Sequence, residues 1–269
     1  MELISSRSNP KLKLVRALRQ RKVRQETSLF LVEGIRHVGE AIEAGASLEA
    51  IYYSPELLNS DFACQLIDSQ SKAGVACYAT TAEVFDSLAD KENPQGILAV
   101  ARRPESHLTD LNPANFPWGV ALVSPQDPGN LGAILRTIDA VGASGVLLLE
   151  SNVDVSHPSV VRASMGALFW RPVVSTSFAE FIGWARQYSY HLYGTSAHAA
   201  LDFRQVQVYR SPRILLLGSE REGLTGEQKA ACECLVSLPM LGHATSLNLA
   251  VAAGVMLYTM LELGLRRDG

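Results

Sequence analysis

The sequence predicts an α/β fold that is divided into two domains, and three features of the chain support this prediction. Short apolar segments alternate with helical segments along the 269 residues, which is typical of sheets covered by helices. The stretch 104–117 contains three prolines and no hydrophobic periodicity, so we expect it to link domains at 1–103 and 118–269. In the second domain the apolar segments are nearly continuous, which indicates a parallel sheet with helices on both faces.

The first domain is predicted to combine strands and helices in one compact layer structure. Its first helix is basic and begins at Pro10, and the helix after the first strand is expected to stop at Gly45. Short apolar runs predict strands at Leu29–Val32, Ala50–Tyr53, Val75–Ala79 and Ile97–Ala101. Helical segments are expected at Pro10–Arg24, Ile35–Ala44, Phe62–Lys72 and Ala82–Leu88.

The second domain is predicted to contain further strands, with helix-start signals after two of them. Asp127 can cap a helix that has Pro128 at its first position, and Thr225 with Gln228 fits a capping box. The strands are expected at Gly119–Val123, Gly145–Leu149, Val173–Ser175, His191–Thr195, Arg213–Leu217 and Cys234–Leu238.

A long apolar helix is expected near the carboxyl terminus, beginning at Thr245 or Ser246 and ending near Leu263–Gly264. Its segment Thr245–Leu261 is uncharged but barely long enough to cross a bilayer, and it contains polar residues. Burial within the fold or at a subunit interface explains such a helix better than a membrane does.

Charge is distributed unevenly along the chain. The formal net charge is −3, but residues 1–24 carry +7 and the remaining residues −10. A basic arm on an acidic body is typical of nucleic-acid binding, because clustered Lys and Arg neutralise phosphates. A solvated amphipathic helix would have the same charges, and charge alone leaves both interpretations open.

Cysteine and histidine spacing provides no metal-binding pattern. The only close cysteine pair is Cys232 and Cys234, and the six histidines are scattered. We therefore expect no metal, and reduced thiols in a cytoplasmic protein. The glycine-rich motifs of dinucleotide folds and P-loops are absent, as is the nucleophile motif of α/β hydrolases.

Three segments of the second domain place small and polar residues directly after a predicted strand, where open α/β sheets usually bind ligands. They are Asp127-Pro128-Gly129-Asn130-Leu131-Gly132 with Arg136, Leu217-Gly218-Ser219-Glu220-Arg221-Glu222-Gly223, and Ser237-Leu238-Pro239-Met240 with Ser246-Leu247-Asn248. Arg136 lies off the apolar stripe of its helix and shares a face with Gly129 and Gly132, which a ligand could approach closely. The alternative is an exposed Arg136 paired with Asp139.

In this order the three segments resemble the SpoU (TrmH-like) branch of the SPOUT superfamily, RNA ribose 2′-O-methyltransferases that use S-adenosylmethionine. Ser8-Asn9-Pro10-Lys11, Phe30-Leu31-Val32-Glu33-Gly34 and Val161-Arg162-Ala163-Ser164-Met165-Gly166 also match family segments. The resemblance implies an N-terminal L30e-like RNA-binding domain and a C-terminal parallel-sheet domain with a deep trefoil knot. It further implies a homodimer that binds the cofactor inside the knot.

The resemblance also implies roles for individual residues. Catalytic roles are expected for Asn130, Arg136, Glu220, Ser246 and Asn248. The cofactor is expected to contact Thr195, Gly218, Leu238, Met240 and Leu247, largely through backbone groups. RNA contacts are expected from Arg7, Asn9, Lys11, Arg21, Arg24, Arg36 and Arg162. The chain departs from the family at Thr245, where an acidic residue is common, and at Ser159, where lysine is frequent.

The implied reaction is direct methyl transfer to a ribose 2′-hydroxyl, most readily in ribosomal RNA because the N-terminal domain resembles modules that bind folded RNA. An arginine side chain is a poor base at neutral pH, so we assign Arg136 phosphate binding and alkoxide stabilisation. Two alternatives remain at this point: a transfer-RNA 2′-O-methyltransferase, and a non-catalytic RNA-binding factor of ribosome assembly.

Overall fold

The computed structural model describes residues 3–90, 93–151 and 153–265 of the chain. The strands are β1 (Leu3–Ile4), β2 (Leu29–Glu33), β3 (Leu48–Tyr53), β4 (Ala76–Thr80), β5 (Ile97–Arg102), β6 (Trp118–Val123), β7 (Gly145–Leu149), β8 (Val173–Thr176), β9 (His191–Thr195), β10 (Leu201–Asp202), β11 (Arg213–Leu217) and β12 (Cys234–Ser237). The α-helices are α1 (Lys13–Ala17), α2 (Arg21–Thr27), α3 (Ile35–Glu43), α4 (Asp61–Lys72), α5 (Ala82–Asp86), α6 (Pro128–Ala140), α7 (Pro158–Ser164), α8 (Ala167–Trp170), α9 (Phe178–Gln187), α10 (Gly226–Ala230) and α11 (Leu249–Leu265).

The chain forms two compact units, each with its own sheet. The first unit comprises the described residues up to Pro104 together with Ser156–Phe169, and the second comprises Glu105–Val155 and the chain from Trp170 onward. The segment 105–117 therefore packs with the second unit: the Trp184 indole donates to the Leu111 carbonyl at 2.9 Å, and Phe116 is fully buried.

The first unit contains a five-stranded mixed sheet in the order β1-β4-β3-β5-β2. Strand β5 runs antiparallel to both β2 and β3, and the other neighbours are parallel. Apolar residues of helix α1 and of α5 pack on this sheet, among them Val15 and Phe85, which are essentially inaccessible to solvent. The predicted α/β character of the N-terminal half is confirmed.

The single basic helix predicted for Pro10–Arg24 is wrong, because the structure divides it. A 3₁₀ turn at Pro10–Leu12 leads into α1, and α2 begins only at Arg21. The break is stabilised by Arg24, whose Nη1 donates to the carbonyls of Leu18 and Arg19 at 2.7 and 2.8 Å. Such carbonyls at a helix end need donors from outside the helix.

The second unit contains a seven-stranded sheet in the order β10-β12-β9-β11-β6-β7-β8, and every described pair is parallel. This pairing confirms the parallel sheet predicted from the continuous apolar runs. The residues of β6, β7 and most of β11 are buried, as the runs indicated. The registers align the ends of neighbouring strands, pairing Leu217 with Leu122 and Val236 with Thr195. Loops that follow these strands therefore meet at one edge of the sheet.

The last helix begins later than predicted, at Leu249 instead of Thr245 or Ser246. The Asn248 side chain explains this start, because its Oδ1 accepts hydrogen bonds from the backbone N–H groups of Ala250 and Val251 at 2.8 and 3.3 Å. Residues 245–248 remain an exposed loop.

The four cysteines are free thiols in the structure. Burial raises the pKa of Cys232 to about 12, with a smaller contribution from Cys234. Burial also raises the pKa of Cys234, followed by the nearby charge of Glu233. A raised pKa keeps a thiol protonated and unreactive, which fits packing roles for both residues. In the described parts of the chain, no helix combines the length and hydropathy needed to cross a membrane.

Candidate active site

Residues from each of the three segments singled out in the sequence line one cavity in the second unit. Its volume is about 670 Å³, within the range of about 300–1,000 Å³ that is usual for small-molecule sites. The walls come from the ends of β9, β11 and β12 and from the start of α11. The lining includes every residue predicted to contact the cofactor, namely Thr195, Gly218, Leu238, Met240 and Leu247.

Asn130, Glu220 and Asn248, three of the predicted catalytic residues, are joined by side-chain hydrogen bonds. The Asn130 Nδ2 donates to Glu220 Oε1, and its Oδ1 accepts from the Nδ2 of Asn248 at 2.9 Å. Because Asn248 also caps α11, a continuous series of bonds connects the loop after β11, the start of α6 and the start of α11. All three residues line the cavity. Their polar groups are therefore held in fixed directions at its edge.

Asn130 reaches this position because of the local sequence around it. Asp127 caps α6 as predicted, accepting the Gly129 N–H at 2.7 Å, and Pro128 occupies the first helical position. Asn130 thus lies in the first turn of α6, directly after β6 and at the carboxyl edge of the sheet.

Gly218 places bare backbone against the cavity. A Cβ at this position would lie 2.2 Å from the carbonyl carbon of Gly223 and 2.4 Å from the Leu224 nitrogen. The loop closes on itself here, since Ser219 and Gly223 exchange backbone hydrogen bonds of 3.0 and 3.2 Å. Only glycine permits this close return of the chain.

The composition of the cavity fits S-adenosylmethionine. Apolar side chains such as Leu217 and Leu249 suit a flat adenine ring, and the bare backbone at Gly218 offers groups for polar edges. Glu220 and Glu222 also line the cavity, and their carboxylates complement a positively charged sulfonium.

Arg136 and Ser246 differ in their relation to this cavity. Ser246 is on its wall, in the exposed loop before α11. Arg136 is exposed on α6, outside the lining, and forms no hydrogen bond or ion pair with any residue the structure describes. The alternative pairing of Arg136 with Asp139 is not observed, because Asp139 accepts from Arg171 at 2.8 Å.

The residues predicted to contact RNA lie in the first unit, and several are already paired. Arg7 faces Glu83 at 3.2 Å, Arg36 pairs with Glu40 at 2.9 Å, and Arg162 pairs with Asp90 at 2.8 Å. An exposed pair such as Arg7 with Glu83 contributes only about 0–1 kcal/mol, so a phosphate could replace that carboxylate.

The remaining predicted RNA contacts have different environments. The Lys11 ammonium lies 4.7 Å from the centre of the Tyr78 ring, and Asn9 accepts the backbone N–H of Lys11. Arg21 is exposed, whereas Arg24 is only 5% exposed and holds the break between α1 and α2.

Sequence reasoning missed part of the cavity wall. Ser196, His198 and Lys229 also line it, together with Leu224. Ser196 and His198 follow β9 directly, so the expectation that ligands bind at the ends of parallel strands could have included them. Lys229 lies within α10 and carried no sequence signal. Among the described residues, no group of three or more His, Cys, Asp or Glu is placed to hold a metal ion.

Comparison with known proteins agrees with this geometry. Residues 117–258 match the SpoU rRNA methylase family, and residues 9–99 match the MRM3-like substrate binding domain. The 23S rRNA (guanosine(2553)-2′-O)-methyltransferase RlmP of Bacillus subtilis is 29% identical over 96% of this chain and 98% of its own length. The 23S rRNA (uridine(2479)-2′-O)-methyltransferase of Streptomyces viridochromogenes is 33% identical over 90% of this chain and 85% of its own.

A solved structure also covers nearly the whole molecule. The AdoMet-bound rRNA methyltransferase from Sinorhizobium meliloti superposes with a TM-score of 0.87 and 33% identity, covering 97% of both chains. The sequence match spans both the cavity-bearing unit and the small N-terminal sheet. The chain belongs to the SpoU rRNA methylase family.

Proposed function

We propose that this protein transfers a methyl group from S-adenosylmethionine to a ribose 2′-hydroxyl of ribosomal RNA. One observation carries the proposal. A single cavity of suitable size is lined by all five predicted cofactor residues and by the bonded trio Asn130, Glu220 and Asn248. The relatives that modify 23S rRNA match the chain over both units, which favours ribosomal RNA over transfer RNA.

The cofactor would be held by Thr195, Gly218, Leu238, Met240 and Leu247. When bound, it supplies an electrophilic methyl group. The protein's task is then positioning, because a nucleophile held in line with its electrophile has already lost its translational freedom. Asn130 and Asn248, fixed by their mutual bond and by Glu220, orient the ribose at the cavity edge.

Arg136 binds a phosphate of the RNA and stabilises the alkoxide that develops on the 2′-oxygen. It lies six residues after Asn130 on α6, about 9 Å along the helix axis. The proton of the hydroxyl passes to solvent water, because an arginine side chain stays protonated at neutral pH.

The first unit would bind the RNA through its basic amino-terminal segment, using the exposed Arg7, Lys11 and Arg21 with Arg36 and Arg162. A ribosomal RNA substrate would place the protein in the cytoplasm. We also propose the deep trefoil knot. In support, β9, β11 and β12 are adjacent in the sheet, and the loops after all three converge on one cavity beside the start of α11.

We further propose a homodimer formed through α11. Its buried face packs within the unit, while Val251, Val255 and Tyr258 form an apolar stripe on the opposite face. They are 51%, 36% and 55% exposed, and their spacing puts them on one side of the helix. An exposed apolar stripe of this kind is typical of an interface.

Val255→Glu is expected to convert a dimer into a monomer, because a carboxylate in an apolar interface loses its hydration without a partner. Light scattering coupled to size-exclusion chromatography measures the mass. Phe62→Glu is a matched control, since Phe62 is 55% exposed in the first unit. A wild-type protein that is monomeric at micromolar concentration would contradict the dimer.

Binding and turnover test the proposed function directly. S-adenosylmethionine at 100 times its Kd should stabilise the native state by about 2.7 kcal/mol and raise Tm by several degrees. Ribose-methylation mapping on ribosomal RNA from cells with and without the gene should then reveal one lost 2′-O-methyl position. A Tm shift without any lost methylation would favour the non-catalytic assembly factor, and a lost position in transfer RNA would change the substrate.

A further inference from the structure

A second cavity lies within the first unit and shares no lining residue with the cavity described above. Its volume is about 210 Å³. The apolar walls are formed by Leu18, Leu31, Leu88 and Val161. Val161 belongs to α7. A cavity of this size is below the range of about 300–1,000 Å³ for drug-sized ligands, so it suits one flat ring system and not a whole nucleotide.

Glu33 lines this cavity, and its carboxylate is only half satisfied. Glu33 ends β2 and is 8% exposed. Its Oε2 accepts the backbone N–H of Asp90 at 2.9 Å, whereas its Oε1 is buried and has no hydrogen-bond partner. A buried carboxylate oxygen without a donor is costly, because the charge has lost its hydration. Glu33 Oε1 therefore lacks a hydrogen-bond donor, and a bound ligand could supply one.

The cations around the cavity do not satisfy Glu33. Arg162 pairs with Asp90 at 2.8 Å, and Arg24 donates to the carbonyls of Leu18 and Arg19. Within the described part of the chain, no Lys, Arg or His lies within 4.0 Å of the Glu33 carboxylate. The guanidinium groups instead give the rim a positive character suited to a phosphate.

We propose that this cavity binds a guanine base of the RNA substrate, with Glu33 Oε1 accepting from the guanine Watson–Crick edge. A base extruded from its stack would be packed between the leucine side chains, and its phosphate would remain outside with Arg162. This inference rests on the proposed RNA substrate. It assigns Glu33 a role in recognition that is independent of the cofactor cavity.

The donor pattern selects guanine among the four bases. Guanine presents two adjacent N–H donors on one edge, which a carboxylate can accept together. Adenine and cytosine present one amino group beside a ring acceptor, and uracil presents one N–H between two carbonyls. Those neighbouring acceptors would face a buried negative charge, and a site built for donors rejects bases that lack them.

Calorimetric titration of the full-length protein with the four nucleoside monophosphates tests the proposal. GMP is expected to bind at least about tenfold more tightly than AMP, CMP or UMP. Glu33→Gln should weaken GMP by about tenfold or more, because the carboxamide cannot reproduce the charged acceptor. Glu40→Gln is the control, since Glu40 is a largely buried glutamate of the same unit outside this cavity, and GMP affinity should be unchanged.

A second measurement uses only the wild-type protein, so its result does not depend on whether Glu33→Gln folds. 1-Methylguanosine monophosphate lacks the N1–H donor and should bind the wild-type protein at least about tenfold more weakly than GMP. Equal binding of all four nucleotides, undetectable GMP binding, or unchanged affinity of Glu33→Gln would each overturn the proposal. The Tm shift with S-adenosylmethionine separates the two ideas: a normal shift without GMP selectivity removes only the guanine site, and its absence removes the enzyme.

Discussion

Arg136→Ala is expected to reduce kcat by about 10²–10³ while leaving the Tm shift with S-adenosylmethionine unchanged. The magnitude is that of removing one group that stabilises a developing oxyanion. Arg136 lies outside the cofactor cavity, so its loss should not alter cofactor binding. It is exposed and has no partner among the described residues, so the free energy of unfolding should change little. Single-turnover methylation of ribosomal RNA and thermal denaturation measure the two effects separately.

Two further variants show whether the effect belongs to the guanidinium. Asp139 lies on α6, as Arg136 does, and is paired with Arg171. Arg171→Ala removes that pairing and should retain near-normal kcat. Arg136→Lys keeps the charge without the planar fork of donors, so its kcat should fall between those of Arg136→Ala and the wild type. Turnover of Arg136→Ala within a few-fold of the wild type would refute a catalytic role for this residue.

The strands of the second unit could be predicted because parallel strands buried on both faces require continuous apolar runs. His191–Thr195 and Arg213–Leu217 were predicted with the bounds that the structure has. Strands β1 and β10 were missed because each has two residues, too few for any periodicity. These residues are strands only because β1 pairs with β4 and β10 pairs with β12. The local sequence does not specify either pairing.

The helix boundaries illustrate the same limit. The signal at Asp127 was local and gave the correct start of α6. The start of α11 depends on Asn248, which could cap a helix as well as Ser246 could; the structure uses Asn248. The break before α2 depends on the burial of Arg24, whereas the family resemblance implies that Arg24 contacts RNA.

The candidate site was predictable as three strand ends but not as one network. Asn130 and Asn248 are 118 positions apart, and no periodicity could pair them. Likewise, the sequence placed Arg162 in the second domain, whereas Ser156–Phe169 packs with the first unit. The cavity that we propose for guanine therefore combines Glu33 and Val161 from distant parts of the chain, and only the structure brings them together.

Gly218→Ala is expected to abolish the Tm shift with S-adenosylmethionine and to lower Tm of the free protein by about 3–10 °C. The added methyl group would meet backbone atoms of Gly223 and Leu224 at 2.2–2.4 Å, and backbone cannot rotate away as a side chain can. The loop 219–223 must therefore open. Opening would move Glu220 away from Asn130 and would deform the cavity wall.

Gly226→Ala provides the matched comparison for this loop. Gly226 is the first residue of α10, and a Cβ there meets no atom within 4 Å. Alanine is the better helix former, so Tm should be unchanged or slightly higher and the cofactor shift should persist. If Gly218→Ala kept both Tm and the cofactor shift, the loop would have to tolerate the methyl group. The close return of the chain at Gly218 would then not be what shapes the cofactor cavity.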